Sequence, residues 1–307
     1  MSIVDDNVIW VSGSKGTILK SVNGGDTWQN VSPKNFAEKG FRDIHAWDKE
    51  KAIIMGIASP AIFLKTEDGG KNWKEVYQNS LENIFFDSME FWNDSCGMAF
   101  SDPINKRHFI IKTTDYGNSW QEIDTINIPF AVKGEAAFAA SGTCISTSGD
   151  NNAWFVTGGT EARVFKSTDQ GIKWKAVTSP LISGLSTTGI YSVCFKDEKN
   201  GFITGGDYTK DKELNANAAV TTDGGLTWTL LKNKPQGFKS CVSYIPHIKD
   251  GVIVTGTSGT DISFDNGKNW SQIDTTSFNT IGFSQNGNGW AVGDKGLIYK
   301  VILRKKK

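Results

Sequence analysis

Apolar and polar positions alternate in short runs along the chain, and the runs come in groups of four. In the clearest group the runs lie at residues 41–47, 52–56, 61–65 and 73–77, separated by stretches rich in Gly, Asp and Lys. Such runs, bounded by turn residues, are typical of β-strands. No segment of useful length has the 3.6-residue period of a helix. The pattern predicts an all-β fold built from repeated four-stranded units, which is the organisation of a β-propeller.

One eight-residue phrase, Ser-Val-Asn-Gly-Gly-Asp-Thr-Trp at residues 21–28, returns five more times in the frame Ser/Thr-x-Asp/Asn-x-Gly-x-x-Trp, at intervals of 42 to 54 residues. The Asp or Asn side chain can accept N–H bonds within its own turn, and the Gly can supply a positive φ. The Trp can pack between units. We expect all six copies to be structural hairpins between third and fourth strands. Their Asp/Asn and Trp positions are Asn23, Asp68, Asp115, Asp169, Asp223, Asp265, Trp28, Trp73, Trp120, Trp174, Trp228 and Trp270.

A seventh unit without this frame follows at residues 278–301, so the sequence predicts a single seven-bladed propeller domain over residues 1–307. Residues 1–13 align without gaps on residues 44–56, which places Met1 in the middle of a first strand. We therefore expect the first and last blades to be incomplete. On the same ground we expect an exported protein whose native leader, absent here, came earlier.

Composition narrows the classes of function. Positive and negative charges balance at a net charge of zero, which predicts no general attraction to nucleic acid. No apolar run approaches the length of a membrane span, so no membrane insertion is expected. The four cysteines and three histidines form no metal-ligand spacing, and no Gly-x-Gly-x-x-Gly segment precedes a helix. We expect no cofactor and no metal, a monomer, and a solvated tail at the basic run 304–307.

Chemistry is expected on one face of the predicted propeller, where the loops entering first strands and those joining second to third strands meet. The polar residues assigned to this face suggest a centre rich in carboxylates with a few arginines. They are Arg42, Asp43, Asp87, Glu135, Asp102, Arg107, Glu161, Arg163, Asp207, Tyr208 and Asp261.

These residues leave several kinds of site open. Asp43, Asp87, Asp102 and Glu135 are the candidates for a catalytic carboxylate pair of the kind used in glycoside hydrolysis. The same carboxylates could bind a cation, or cap turns in solvent. Arg42, Arg163, Asp207 and Tyr208 are the candidates for ligand binding.

The repeated frame resembles the Asp-box, or BNR repeat, of sialidases. That family uses three converging arginines, whereas this chain has four in all, one of them Arg304 in the terminal basic run, so sialidase activity is not expected. Over nearly its full length the chain resembles the Ycf48-like or Hcf136-like propellers, in a bacterial non-photosynthetic branch sometimes labelled oxidoreductase or glycosyl hydrolase. The particular stretches are Phe-Arg-Asp-Ile at 41–44, Phe-Ser-Asp-Pro at 100–103, Ala-Ala-Ser-Gly-Thr-Cys at 139–144 and Gly-Gly-Asp-Tyr at 205–208.

The resemblance implies a seven-bladed propeller and, for the photosynthetic members, an assembly chaperone that binds its partner through an arginine-rich patch. The scarcity of arginine here departs from that pattern. Two functions follow as expectations. The first is an exported recognition scaffold that binds a protein or glycan on an acidic loop face. The alternative is a carbohydrate-active hydrolase that uses the paired carboxylates.

Overall fold

Seven antiparallel sheets form the protein in a computed structural model that describes residues 1–214 and 216–303. The sheets are the blades of a seven-bladed β-propeller, as the sequence predicted. The described residues contain no α-helix, only single 3₁₀ turns at Thr125–Asn127, Tyr208–Lys210 and Asp294–Gly296. No helix among them is long and apolar enough to cross a membrane.

The blades follow one another along the chain, each beginning with its first strand. Blade 1 consists of Ser2–Ile3, Ile9–Ser12, Ile18–Ser21 and Gln29–Asn30; blade 2 of Phe41–Ala46, Ala52–Gly56, Ala61–Thr66 and Lys74–Asn79; blade 3 of Phe86–Phe91, Gly97–Ile104, Arg107–Thr113 and Gln121–Glu122; and blade 4 of Ile145–Ser148, Asn152–Val156, Arg163–Ser167 and Lys175–Thr178. Blade 5 consists of Thr188–Phe195, Gly201–Asp207, Ala218–Thr221 and Thr229–Leu230; blade 6 of Cys241–Tyr244, Val252–Gly256, Gly259–Ser263 and Ser271–Asp274; and blade 7 of Thr280–Phe283, Gly289–Val292 and Ile298–Val301.

The first and last blades differ from the rest in strand length and number. Blade 1 has four strands, but its first strand comprises only Ser2–Ile3. Blade 7 has three strands within the described residues. Asn215, in the polar insertion at residues 208–217, and the basic run 304–307 lie outside the described residues.

The segment before blade 4 pairs with the edge of a sheet instead of forming that blade's first strand. Glu135–Ala136 pairs with Gly158–Gly159, and Gly158 pairs with Gly189 at the edge of the blade 5 sheet. A side chain at Gly158 would bring its Cβ within 2.6 Å of the Thr188 carbonyl oxygen, so this contact requires glycine. The first strand of blade 4 begins only at Ile145.

Hydrophobic packing between blades explains why the inner strands are apolar on both faces. Each sheet is covered by its neighbours, and Ala52–Gly56 is buried at every position. The indole rings of Trp10, Trp154 and Trp290 are almost completely buried at these boundaries. The core is therefore a ring of inter-blade layers.

Residues 139–143, the crossing segment, contact blades that are distant from one another in the ring. The Ser141 hydroxyl donates to the Ser240 carbonyl of blade 6 at 2.8 Å, and the Val193 N–H of blade 5 donates to the Thr143 carbonyl at 2.9 Å. A Cβ added to Gly142 would lie 2.7 Å from an oxygen of Asp43 in blade 2. The segment therefore lies across the central axis.

Candidate functional site

The loops divide between two faces because successive strands are antiparallel. We call loop face the side that carries the loops entering each first strand and those joining second to third strands. The opposite side, the turn face, carries the loops joining first to second strands and the six repeated turns. The catalytic and ligand-binding candidates from the sequence were all assigned to the loop face.

Asp43 is buried and its carboxylate is bonded within the protein. It accepts hydrogen bonds from the N–H groups of Ile44 and Met89 and from the Ser88 hydroxyl, at 2.8 to 2.9 Å. Burial raises its pKa to about 6, against the opposing effects of the nearby N-terminal amine and these hydrogen bonds. The side chain links the first strands of blades 2 and 3.

Asp87 and Asp102 form the second group of predicted carboxylates. Asp87 is completely buried, and neither carboxylate oxygen has a hydrogen-bond partner among the described residues. Burial, reinforced by the charge of Asp102, raises the pKa of Asp87 well above its ordinary value. Asp102 accepts the Ala137 N–H at 2.8 Å, and burial raises its pKa to about 6. Burial therefore favours the neutral form of the Asp87 carboxyl group, which is excluded from solvent.

Glu135 and Arg163 form a buried ion pair. The Arg163 Nε donates to Glu135 Oε1 at 2.9 Å, and its Nη2 contacts Oε2. The Glu135 carboxylate also accepts the Thr157 hydroxyl at 2.6 Å and the Val132 N–H at 2.8 Å. Each of these partners consumes bonding capacity that a catalytic acid or a ligand-binding arginine would need.

Asp207 and Tyr208 lie together at the start of the blade 5 insertion. Asp207 is buried and accepts the backbone N–H and hydroxyl of Thr209 at 3.0 and 2.7 Å. Tyr208 is 51% exposed, and its ring packs edge-on against Tyr191 and Phe238. Tyr208 is the member of the predicted ligand-binding set that offers an aromatic surface to solvent.

The remaining polar candidates have separate surroundings. Arg107 donates to carbonyls of the loop at residues 125–128, and its guanidinium lies 3.9 Å from the ring centre of Phe130. Asp261 is buried in an ion pair with Lys239 at 2.6 Å. Glu161 accepts the Thr178 hydroxyl at 2.5 Å. Arg42 is exposed and has no hydrogen bond or ion pair within the described part of the chain.

The acidic loop face expected from the sequence is not formed. Its main carboxylates, Asp43, Asp87, Glu135, Asp207 and Asp261, are buried. Four of them bind backbone N–H groups or buried cations, whereas Asp87 has no hydrogen-bond partner among the described residues. In no case do two candidate carboxylates face each other across an open cleft with free oxygens. Among residues 1–214 and 216–303, no three His, Cys, Asp or Glu side chains form a group that could hold a metal ion.

Each of the six repeated turns on the turn face contains the same internal hydrogen-bond network. In the second copy the Thr66 hydroxyl donates to Asp68, and the N–H groups of Gly70 and Asn72 donate to Thr66 and Asp68 at 2.9 Å. The hydrogen bonds from Asn72 hold the pKa of Asp68 below its usual value, and those from Asn269 lower the pKa of Asp265 to about 2. The six Trp residues are buried or half-buried beside these turns.

Sequence reasoning missed a second repeated feature, a lysine over an indole ring. The lysine amino groups lie 4.9 to 5.9 Å from the ring centres, and the pairs are Lys20 with Trp10, Lys65 with Trp47, Lys112 with Trp92, Lys166 with Trp154 and Lys300 with Trp290. The available signal was the lysine directly before the Ser/Thr of the frame in four of its six copies. These pairs stabilise blade boundaries on the turn face.

The exposed apolar residues of the loop face were also missed. They lie on loops of blades 3 to 5, where no regular pattern distinguishes an exposed apolar residue from a buried one. They are Leu81, Ile126, Phe130, Val132, Leu185 and Leu214, which are 40 to 70% exposed.

Comparison with known proteins supports the fold. The solved structure of YCF48 bound to a D1 peptide superposes with a TM-score of 0.70 at 17% identity, covering 99% of this chain and 92% of that one. YCF48 from Cyanidioschyzon merolae gives a TM-score of 0.67 at 18% identity, covering 98% and 93%. The WD40 domain of Neurospora crassa Pan2 gives 0.63 at 13% identity, covering 98% and 86%. At these identities the likeness is one of fold.

Two curated proteins are similar in sequence, and no protein-family model matches the chain. The photosystem II assembly lipoprotein Ycf48 of Synechococcus sp. (strain CC9902) is 21% identical over an alignment of 262 residues that covers 74% of this chain and 73% of that protein. A xyloglucanase from a Paenibacillus species is 27% identical over an alignment of 220 residues that covers 61% of this chain. The match spans only 20% of the xyloglucanase.

Proposed function

We propose that this propeller is a non-catalytic recognition scaffold that binds a partner protein on its loop face. One observation carries the proposal: exposed apolar residues of the loop face lie on neighbouring loops of blades 3 to 5. Among them are Ile126, Phe130, Val132, Leu185 and Leu214, together with Tyr208. Exposed apolar surface concentrated in one region is typical of protein interaction sites.

Hydrogen bonds between adjacent loops place these residues on one continuous surface. The Thr160 N–H donates to the Gly134 carbonyl, and the Gly184 N–H donates to the Gly159 carbonyl at 2.8 Å. The Ile182 N–H donates in turn to the Ala216 carbonyl at 2.9 Å. These bonds join the loops that carry Val132, Leu185 and Leu214 side by side, so a partner could span them.

The similar solved structure of YCF48 is described as bound to a D1 peptide, which is consistent with peptide recognition by a propeller of this shape. For the present chain the proposed ligand is a segment of a partner protein.

Matched surface variants test the proposal. The wild-type protein, a loop-face variant (Phe130→Ser, Leu185→Ser, Leu214→Ser) and a turn-face variant (Val22→Ser, Ile172→Ser, Leu226→Ser) are immobilised. Bound proteins from an extract of the source cells are quantified, and purified candidates are then titrated directly. We expect at least one protein that binds the wild type and the turn-face variant but not the loop-face variant. Equal binding to all three proteins would contradict the proposal.

A carbohydrate-active hydrolase is the second candidate, favoured by the similarity to a xyloglucanase. It would use Asp43, Asp87, Asp102 or Glu135, whose burial and bonding oppose that role. Incubation with xyloglucan and measurement of reducing ends tests it. Hydrolysis abolished by Asp102→Asn would establish the enzyme and displace the scaffold proposal.

Three finer features belong to the same proposal. The repeated turn is an Asp-box, the chain belongs to the bacterial non-photosynthetic branch of Ycf48-like proteins, and the protein is an exported monomer. Cell fractionation and sedimentation of the purified chain test the last feature. A cytosolic fraction or a sedimenting dimer would contradict it.

A further inference from the structure

A cleft of about 580 Å³ opens on the loop face at the boundary between blades 7 and 1. Its apolar lining comes from Val11, Leu19, Val292 and Ile298, which belong to second and third strands of the two blades. None of the candidate catalytic carboxylates lines this cleft. The cleft is also distinct from the apolar loops of blades 3 to 5.

Two equivalent turns place lysines on the rim of this cleft. Blade 1 has Gly-Ser-Lys-Gly at residues 13–16 and blade 7 has Gly-Asp-Lys-Gly at residues 293–296, each between a second and a third strand. Lys15 and Lys295 both adopt the left-handed conformation, with φ of 56° and 58°. Both side chains are exposed, so the same local structure in adjacent blades directs two cations to one site.

Arg42 adds a third cation to the lining. It is exposed and has no hydrogen bond or ion pair with the described residues. The one carboxylate in the lining, Asp294, accepts the Asn279 amide N–H at 2.9 Å. The Ser12 hydroxyl, also in the lining, is buried without a hydrogen-bond partner in the described part of the chain. The cleft thus combines an apolar lining, an excess of positive charge and unused hydrogen-bonding capacity.

We propose that this cleft binds an extended acidic segment of a partner protein. The inference rests on the proposed recognition function and specifies the chemical character of the bound segment. In an extended strand, alternate side chains point to opposite sides. Apolar side chains on one side of the segment contact Val11, Leu19 and Ile298. Acidic side chains on the other side pair with Lys15, Lys295 and Arg42. Charge complementarity of this kind favours association and discriminates against basic segments.

Synthetic probes test this chemistry directly. The probe is a fluorescein-labelled peptide of alternating Asp and Val, compared with the same peptide carrying Lys in place of Asp. Binding to the chain of residues 1–307 is measured by fluorescence anisotropy. We expect saturable binding of the Asp-Val peptide alone, weakening as salt rises, because exposed charges are screened.

Removal of the lysine charges on the rim is the second part of the experiment. The variant Lys15→Gln/Lys295→Gln should weaken Asp-Val binding by about fivefold, because it removes two exposed charge pairs. The control is Lys106→Gln/Lys133→Gln. Lys106 is also a left-handed lysine between second and third strands, but in blade 3, so the control matches the lost charge and one of the two left-handed positions.

Several results would overturn the inference. These are absence of Asp-Val binding, equal loss in the control, or equal binding of the Lys-Val peptide. Tighter binding of a single-stranded oligothymidylate, removed by the same two substitutions, would assign the cleft to nucleic acid instead. If the peptide fails to bind while partner capture still depends on the loop face, this inference fails and the proposed function stands.

Discussion

Trp290 of blade 7 donates its indole N–H to the carbonyl of Gly24 in blade 1 at 3.2 Å, although 266 residues separate them. Trp154 of blade 4 makes the same bond to Gly224 of blade 5 at 2.9 Å. Gly24 and Gly224 both occupy the fourth position of the repeated turn. The boundary between blades 7 and 1, which closes the ring, therefore contains the same hydrogen bond as a boundary between blades that are consecutive in the chain.

Replacing Trp290 with Phe should lower the free energy of unfolding by about 1–2 kcal/mol beyond the loss of ring volume, because the buried Gly24 carbonyl loses its donor. The control is Trp47→Phe, since Trp47 donates to the Asp94 carbonyl at an exposed site where water can replace it. Urea unfolding of both variants measures the difference. Equal losses would show that the Trp290 bond adds nothing.

Replacing Glu135 with Gln should lower the free energy of unfolding by about 3 kcal/mol or more, because Arg163 would remain largely buried without its counter-ion. The matched control is Glu67→Gln, which removes the 67% exposed partner of Lys65 and should cost less than about 1 kcal/mol. Chemical denaturation at constant pH distinguishes the two. A small loss for Glu135→Gln would mean that water reaches Arg163.

Replacing Asp87 with Asn should remove a dependence of stability on pH. Because the folded-state pKa of Asp87 is raised, its contribution is fully present below the unfolded pKa and is lost as pH rises towards the folded pKa. As pH rises above the unfolded pKa of an aspartate, about 4, the stability of Asp87→Asn relative to wild type should increase, by at most about 1.4 kcal/mol per pH unit.

Asp265→Asn is the control for that experiment. The folded-state pKa of Asp265 is lowered to about 2, so its contribution is constant above pH 5 and is lost only as pH falls through the acid range. Denaturation at several pH values should give a flat difference for this variant. A flat difference for Asp87→Asn as well would show that Asp87 is ionised in the folded protein.

Replacing Asp68 with Ala should destabilise the protein and lower its melting temperature, because the turn loses the acceptor for the N–H of Asn72 and the hydroxyl of Thr66. Lys71→Ala, an exposed change in the same turn, should be nearly neutral. Thermal and urea denaturation compare the two. The interpretation of the turn as structural would be wrong if both variants were equally stable.

The sequence predicted the blades because their causes are local. Alternating apolar runs define strands, and the frame from Thr66 to Trp73 carries its own hydrogen-bond partners within eight residues. The site was harder because its determinants are distant in the chain. Whether Asp43 is exposed depends on Ser88 of the next blade and on the crossing segment. No periodicity in the sequence predicts these contacts.

The same limit applies to Glu135 and Arg163. Their types suggested an acid and a ligand-binding cation, but they lie 28 residues apart and neutralise each other. Lys15 and Lys295 show the converse. Each belongs to an ordinary turn, and only closure of the ring between blades 7 and 1 places them on one cleft.

The crossing segment has a consequence for how the ring opens. Its contacts reach blades 2, 5 and 6, and it belongs to the chain entering blade 4, so these blades are linked across the axis as well as around it. Blades 1 and 7 have no hydrogen bond to it in the described residues. Partial unfolding should therefore begin at the closing boundary, and amide hydrogens of blades 1 and 7 should exchange with solvent before those of blades 2 to 6.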